Sequence, residues 1–478
     1  VTDHSAEPAG PDIPDTPGST GQTGSGGDVR TGSGGDVRTV MAELSGRDVD
    51  VVRVSYSDMI GVDRGRDVLV GELPTAMGHG LAFCRAIFHT TPQGDVVPVA
   101  GGLDAGLPDV HVRPDLSTLV PMPWEPNCAW AIGEVFDSAG APHAESPRTV
   151  LAGVQRTLEA AGLRAVVGPE LEYYLCEPDE ASPQGWKRYA DAPGNVYVVG
   201  SKGDPKRHLI KTLRLLRDAE LQVTAANHEF CGGQFEVNLR HGPALGAADR
   251  SFRLKAAVQE IARLDGLLAT FMAKPFNDEG GSGFHLHVSL ADEAGQNVFG
   301  DPAGEDGLST LGRHAIAGVL AHAPALAALM NPTVNSYKRF GPDTLAPWLV
   351  DWGLDNRSAM VRVPPERGEG ARMEVRLGDA TANPYLAIAG TLAAAYLGVR
   401  DGLTPPPALV GYGYDPSVAT MLPQRLPDAL DAFEADTSFR AVLGEEFCRS
   451  FLTYKRNEVE RFERYVTDWE FREYAYHL

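Results

Sequence analysis

The chain has 478 residues, 43% of them hydrophobic and 22% charged, enough for two or three globular domains with a large core. Its 42 Lys and Arg against 64 Asp and Glu leave a formal charge of −22, which argues against binding to nucleic acid or an anionic membrane. The sequence shows no bilayer-length apolar run and no secretion-signal h-region. Its cysteines (Cys84, Cys128, Cys176, Cys231, Cys448) are scattered without a CxxC pair, so reduced thiols and a cytoplasmic location are expected.

Residues 1–38 are rich in Gly, Pro, Ser, Thr and Asp, and TGSGGDVR at 23–30 is repeated at 31–38. Such a segment buries too little surface to offset its ordering entropy, so a disordered tail is expected. No strand precedes its glycines, which argues against a phosphate loop. From about residue 40 the chain turns β-rich. VDVVRVSYSD, IGVDRGRDV, AFCRAIF, LPDVHVRPD and CAWAIGEVF read as strands up to 145. Ser146 then reads as an N-cap, with Pro147 at the first helical position of a helix running to about Ala161. Helices are also expected over 205–220, 249–273, 308–329 and 383–400.

Between those helices lie strands with unusual polar faces. In GSGFHLHVSL (281–290), Phe284, Leu286 and Val288 alternate with His285, His287 and Ser289. GPELEYYL (168–175) puts Glu170 and Glu172 on one face. HEFCGGQFEVNL (228–239) offers Glu229, a two-glycine bend, then Glu236 and Asn238. ARMEVRL (371–377) sets Arg372, Glu374 and Arg376 opposite Met373, Val375 and Leu377. One such strand is ordinary. Four together point to a shared polar cavity lined by antiparallel strands with helices outside, an α+β architecture.

Glu170, Glu172, Glu229, Glu236 and Glu374 with one or two histidines form a hard, oxygen-rich donor set. It suits Mg²⁺ or Mn²⁺ better than structural zinc, and more than one ion is needed to hold so many carboxylates. Arg339 in NSYKR, Arg357 and Arg362 in NRSAMVRV, and Arg372 and Arg376 add guanidinium forks suited to phosphate or carboxylate. Metals facing arginines are the equipment of phosphoryl transfer. There is no GxxxxGK[ST] loop and no GxGxxG after a strand, so any ATP is held by other means.

GPELEYYL, NHEFCGGQFEVN, KPFNDEGGSGFHLHVSL, NPTVNSYKR, DNRSAMVRVP and RMEVRLGDATANPYLAIA resemble, in order, successive signatures of the glutamine synthetase family. The chain end, DWEFREYAYHL, resembles that of its γ-glutamyl-amine ligase branch. The resemblance implies a β-grasp domain over 39–145 and a catalytic domain over 146–478. It implies an ATP-dependent ligase that phosphorylates the γ-carboxylate of glutamate and lets an amine displace the phosphate. By motif, Glu172, Glu229 and Glu236 hold the metal nearer the amino-acid substrate, and Glu170, His285 and Glu374 hold the metal bridging the ATP phosphates. His287, Ser289, Arg357, Arg362 and Arg372 surround ATP, with Arg357, Arg362 and Arg339 in catalytic positions. Arg339 and Arg376 clamp glutamate, with Gly281 offering backbone contact. A homo-oligomer of stacked rings, dodecamer-like, is also implied.

The chain departs from the ammonia-using members in three places. Residues 339–347 read RFGPDTLAP, so Leu345 stands where those enzymes carry a flap glutamate. The Asp-Gly-Ser-Ser latch that helps bind ammonium is absent; GLAFCR (80–85) takes its place, with cationic Arg85. Gly280 replaces an expected Asn. These losses point to an organic mono- or polyamine or an amino alcohol in place of ammonium. The alternatives are glutamine synthetase itself, with Asp343 taking over the flap role, or a non-catalytic relative. Tyr414, in GYGYDPS, matches only a Tyr-Asp pair of an adenylylation site and is expected in a surface loop.

Overall fold

The β-branched run at Val51 makes strand β1 (Val51–Ser57), which buries Val52, Val54 and Tyr56. This computed structural model describes residues 37–190, 196–342 and 344–478. Strand β1 pairs antiparallel with β2 (Asp63–Leu69) and parallel with β5 (Cys128–Phe136). Strands β3 (Leu81–Cys84) and β4 (Asp109–Pro121) complete a mixed sheet of order β2-β1-β5-β4-β3. Helices α1 (Val37–Gly46) and α2 (Leu73–His79) flank it, and Leu44, Leu73 and Ala76 join the core formed by Val54, Phe88 and Val112.

Beyond α3 (Pro147–Ala160) the chain builds a larger, mostly antiparallel sheet. Its long strand β6 (Arg164–Pro178) is paired along its length by β7 (Trp186–Arg188), β9 (Gln234–Leu239), β10 (Gly242–Pro243), β11 (Leu268–Thr270) and β12 (Phe284–Ala291). One end continues from β9 to the edge strand β8 (Val223–His228). The other runs from β12 through β15 (Met373–Val375) and β14 (Val361–Val363) to β13 (Trp352–Leu354). Phe284, Leu286 and Val288 of β12 are at most 1% exposed, so the apolar half of the alternation faces the core.

Helices cover that core face: α4 (His208–Asp218), α5 (Ala244–Leu264), α6 (Thr310–Ala321), α7 (Ala323–Met330) and α8 (Pro384–Asp401). Helix α8 is apolar nearly all round and packs against α3, α5, α6 and α7, as a fully enclosed helix must. Helices α9 (Leu426–Ala435), α10 (Thr437–Leu443), α11 (Glu445–Glu463) and α12 (Asp468–Tyr474) close the chain.

Several expectations shift. The tail and its repeat lie outside the described residues except Val37 and Arg38, which open α1 where strands were expected to begin. AFCRAIF is strand only to Cys84 and then becomes a 3₁₀ turn. The helix expected over 249–273 runs from Ala244 to Leu264. It stops because Gly266, at φ +68°, takes the left-handed position of a Schellman motif, with Gly266 N donating to Arg263 O and Leu267 N to Ala262 O. The helix expected over 308–329 breaks at His322, ahead of Pro324, into α6 and α7, which meet at 73°. No single helix among the described residues is long and apolar enough to cross a membrane.

Candidate active site

Strand register gathers the polar residues on the face opposite the core. Glu172 lies across from Glu236, Glu170 from His285, and His287 and Arg362 both from Glu374. Side chains directly opposite on paired strands are neighbours, so residues as far apart in sequence as Glu170 and Glu374 converge on one spot. His285 Nδ1 lies 3.7 Å from Glu170 Oε2 and 3.9 Å from Glu374 Oε1, while its Nε2 is 4.0 Å from Glu172 Oε1. His287 Nε2 is 3.1 Å from Glu170 Oε1.

Two glycines make that convergence possible. A Cβ on Gly283 would stand 2.6 Å from His285 Nε2 and 2.9 Å from Glu172 Oε1, and one on Gly281 would stand 2.5 Å from Arg339 Cγ. The Gly-Ser-Gly turn is therefore needed for close approach. Gly283 N and Gln234 Nε2 each donate to Glu172 Oε2 at 2.8 Å, which fixes that carboxylate. Asn227 Nδ2 donates to Glu229 Oε1 at 2.7 Å, and Asn238 Nδ2 to Glu236 Oε1 at 3.1 Å.

The electrostatics split the carboxylates. Burial opposes charge on Glu170, but hydrogen bonds to His285 and His287 hold it well below the usual carboxylate range. Glu374 is held at about 2: burial acts against its charge and the charges of Arg376, His285 and His287 prevail. Its two oxygens each take a 2.6 Å bond, from Arg362 Nη1 and Arg376 Nη1. Burial first, then Glu172, pushes Glu229 up to about 7. Burial and the charges of Glu170, Glu172 and Glu229 push Glu236 up to about 9. These carboxylates cannot all stay ionised together without cations between them.

Two donor groups have the geometry for ions: Glu170, Glu236 and His285 in one, and Glu170, His287 and Glu374 in the other, with the donor atoms of each within 4.8 Å. Carboxylate oxygens with one imidazole apiece fit a hard divalent ion. The partition differs from the one the resemblance implies, because His287 falls inside a donor group and Glu172 and Glu229 lie outside both. Register accounts for His287, which sits opposite Glu374.

Two clefts adjoin the cluster and share Arg372. One, of about 380 Å³, is lined by Glu170, His287, Ser289, Asn238 and Arg372. The other, of about 670 Å³, is lined by Arg357, Arg362, Arg372 and Asp355. Arg372 Nε donates to His287 Nδ1 at 3.1 Å. Arg339 is 5% exposed; its Nη1 donates to Leu377 O at 3.2 Å, and no carboxylate pairs with it among the described residues. Burial lowers its proton affinity, so it is a cation set up to receive an anion.

Two expectations at the periphery change. Arg85 is not a free cation: its guanidinium lies 2.9 Å from the fully buried Glu145 and 3.4 Å from Glu446. Tyr414 is buried rather than in a surface loop, and its hydroxyl donates to Ala346 O at 3.0 Å, tying down the flap. Gly280 packs under Cys231, whose Sγ accepts its N–H at 2.9 Å and would lie 3.1 Å from a Cβ there. Leu345 is 39% exposed at φ +57°, a strained conformation for leucine. Asp343 lies outside the described residues. Gln234 was missed, although period two from Glu236 would have found it. Asn227 and Asp355 gave no comparable signal.

The profile described as "Glutamine synthetase, catalytic domain" matches residues 144–474. A glutamine synthetase of Halobacterium salinarum is 33% identical over 450 residues, covering 90% of this chain and 94% of the relative. A glutamate–isopropylamine ligase of a Pseudomonas species is 31% identical over 436 residues, covering 89% and 95%. A solved complex of GmaS with ADP superposes with a TM-score of 0.80 at 30% identity, covering 91% of this chain and 99% of that one.

Proposed function

The chain belongs to the glutamine synthetase family of ligases, and we propose that it joins an organic amine to the γ-carboxylate of glutamate through a γ-glutamyl phosphate, at the expense of ATP. The family uses ATP and a divalent metal. The observation that carries the amine reading is Leu345: an apolar side chain occupies the flap where ammonium use needs a carboxylate. The glutamate–isopropylamine ligase relative supports it.

In this reading Glu170, Glu236, His285, His287 and Glu374 hold two Mg²⁺ or Mn²⁺ ions, with Glu172 and Glu229 beside them. Bound metal supplies charge neutralisation on the phosphate oxygens. Arg339, buried and without an anionic partner among the described residues, takes a carboxylate of glutamate, and Gly281 leaves the room for it. Arg376 and Arg362 are fixed by Glu374, so they meet substrate charge without reorganising. Arg372, held to His287, and Arg357 face the cleft for the ATP phosphates, with Ser289 in the adjoining one. The carboxylate of Glu229, whose proton affinity burial and the charge of Glu172 raise, is the candidate acceptor for the proton leaving the amine.

A cluster drawn only from residues before 136, around Val54, Phe88 and Val112, supports a first part with its own core, although Met59, Trp124 and Trp130 join the larger core, and the parallel β1/β5 pair with α2 across the sheet supports a β-grasp reading of that part. Exposed Trp469, Phe471 and Tyr476 near the chain end support a ring-type homo-oligomer.

The test is phosphate release from ATP and glutamate with ammonium, methylamine, isopropylamine, ethanolamine and 1,4-diaminobutane. An organic amine should exceed ammonium in kcat/KM, and Leu345→Glu should raise ammonium use while impairing the larger amine. A wild-type enzyme that prefers ammonium to every amine is a glutamine synthetase, the reading that the Halobacterium relative favours.

A further inference from the structure

The flap segment that opens at Arg339 and passes Leu345 is anchored unevenly. Its outgoing stem is pinned to the stretch 409–422: Val350 N donates to Thr420 O at 2.8 Å, Leu422 N to Trp348 O at 3.0 Å and Leu409 N to Trp352 O at 2.7 Å. At the tip, Thr344 Oγ1 donates to Gly341 O at 2.8 Å and Ala346 N to Thr344 Oγ1 at 3.3 Å, both within the turn. Among the described residues, the hydrogen bonding that leaves the tip goes to Tyr414, whose hydroxyl donates to Ala346 O at 3.0 Å. Leu345, next to that carbonyl, holds φ at +57°, where a residue with a Cβ is strained. Such a conformation persists only where its surroundings impose it, and the Tyr414 bond is the restraint beside it.

Tyr414 is itself fixed from the side of the larger cleft. Asn356 Nδ2 donates to Gly411 O at 2.7 Å, Gly413 N donates to Ser358 Oγ at 2.8 Å, and Ser358 Oγ donates to Asn356 Oδ1 at 2.7 Å. Asn356 and Ser358 flank Arg357, which lines that cleft. A Cβ on Gly413 would stand 3.0 Å from Asp351 Oδ2 and 3.1 Å from Ser358 O, so glycine lets the loop lie that close. The Tyr414 ring is 9% exposed and packs on Tyr412 with 4.7 Å between centroids. Burial, then Tyr412, pushes the phenol up to about 12, so it stays a neutral donor. Its oxygen is also near enough to Arg339 for their charges to interact. One hydroxyl thus sits among the flap tip, the buried cation assigned to glutamate and the loop beside Arg357.

We infer that Tyr414 is a positioning residue that latches the flap: its hydroxyl holds Leu345 and Ala346 closed over the reacting centre and so keeps water from the γ-glutamyl phosphate. The inference rests on the ligase reading above and adds the group that protects its intermediate. In the productive step the amine nitrogen attacks the γ-carbonyl carbon, the bond from that carbon to the phosphate oxygen breaks, and inorganic phosphate leaves. Water attacking the same carbon breaks the same bond. It returns glutamate and phosphate, gives its proton to solvent and forms no amide, so one ATP is lost. An apolar tip held in place excludes that water, and a released tip admits it.

Tyr414→Phe removes the hydroxyl and keeps the ring. Phosphate and amide are counted together with ATP, glutamate and whichever of ammonium, methylamine, isopropylamine, ethanolamine or 1,4-diaminobutane the wild type uses fastest. Phosphate released in excess of amide should rise about threefold to tenfold in the variant, the worth of one neutral hydrogen bond in the balance between closed and open flap. In heavy-oxygen water the label should enter the recovered glutamate, as attack at carbon requires; label in the phosphate would mean direct hydrolysis of ATP. A merely structural loss would lower kcat and leave the ratio of phosphate to amide as in the wild type. Ser358→Ala, which frees Gly413 N, should uncouple in the same direction and add little to Tyr414→Phe, since both act through one hydroxyl. Hydrogen exchange at residues 344–348, read by mass spectrometry, needs no turnover. It should quicken about threefold to tenfold in Tyr414→Phe while the strands of the large sheet stay unchanged. If ATP and glutamate release no phosphate with any amine, the ligase reading falls and exchange alone decides whether the latch stands. An unchanged ratio of phosphate to amide, label in the phosphate, or unchanged flap exchange overturns the inference.

Discussion

Arg339→Met tests the acid-binding half of the site. The guanidinium is 5% exposed, has one hydrogen bond, to Leu377 O, and has no anionic partner among the described residues. Its aliphatic stem seals against Gly281, so methionine keeps the packing and removes the charge. A charge-assisted bond to a carboxylate is worth roughly 1.5–3 kcal/mol, so the KM for glutamate should rise about tenfold to 150-fold. Relieving a buried unpaired cation should not lower the thermal midpoint. The assay is phosphate release against glutamate at saturating ATP and amine, repeated with 4-aminobutanoate, which keeps the reacting carboxylate and lacks the other. The variant should lose most of its discrimination between the two acids. Equal losses with both, or an unchanged glutamate KM, would mean that Arg339 does not bind the second carboxylate.

Metal affinity should depend on pH in a defined direction. With Glu229 near 7 and Glu236 near 9 before an ion binds, the ion must displace protons below those values. Mn²⁺ affinity, read by electron paramagnetic resonance, should therefore rise from pH 6.5 to 9, and Glu236→Gln should flatten the rise; a pH-independent affinity in the wild type would refute this. Glu374→Gln leaves two guanidiniums without their shared anion. The folded value of about 2 lies below the usual 4.5, so its stabilisation is present above pH 4.5 and is lost as pH falls toward 2. In chelator, the stability gap between wild type and variant should be about 3 kcal/mol at pH 6 and about 1.5 kcal/mol at pH 3, measured by urea unfolding. A gap that does not narrow would assign the loss to packing.

The sequence by itself determined the chemistry of the site. Period two is enforced by the strand backbone, so Glu170 with Glu172, Glu236 with Asn238, and His285 with His287 had to share faces once Leu171, Val237 and Leu286 were committed to the core. The helix at Pro147 was legible for the same local reason, a residue that fixes φ at the first helical turn. Where helices stop was less so: Gly266 and Pro324 carried the signal within apolar runs that outweighed it. Only the tertiary structure decided which faces meet. That Glu374 lies against His287 and Arg362, that Arg85 is neutralised by Glu145, and that Tyr414 holds the flap are matters of register and long-range packing. An edge cavity between α4 and β8 belongs to the same class: its walls come from a loop, a helix and two strands, which no local pattern could have brought together.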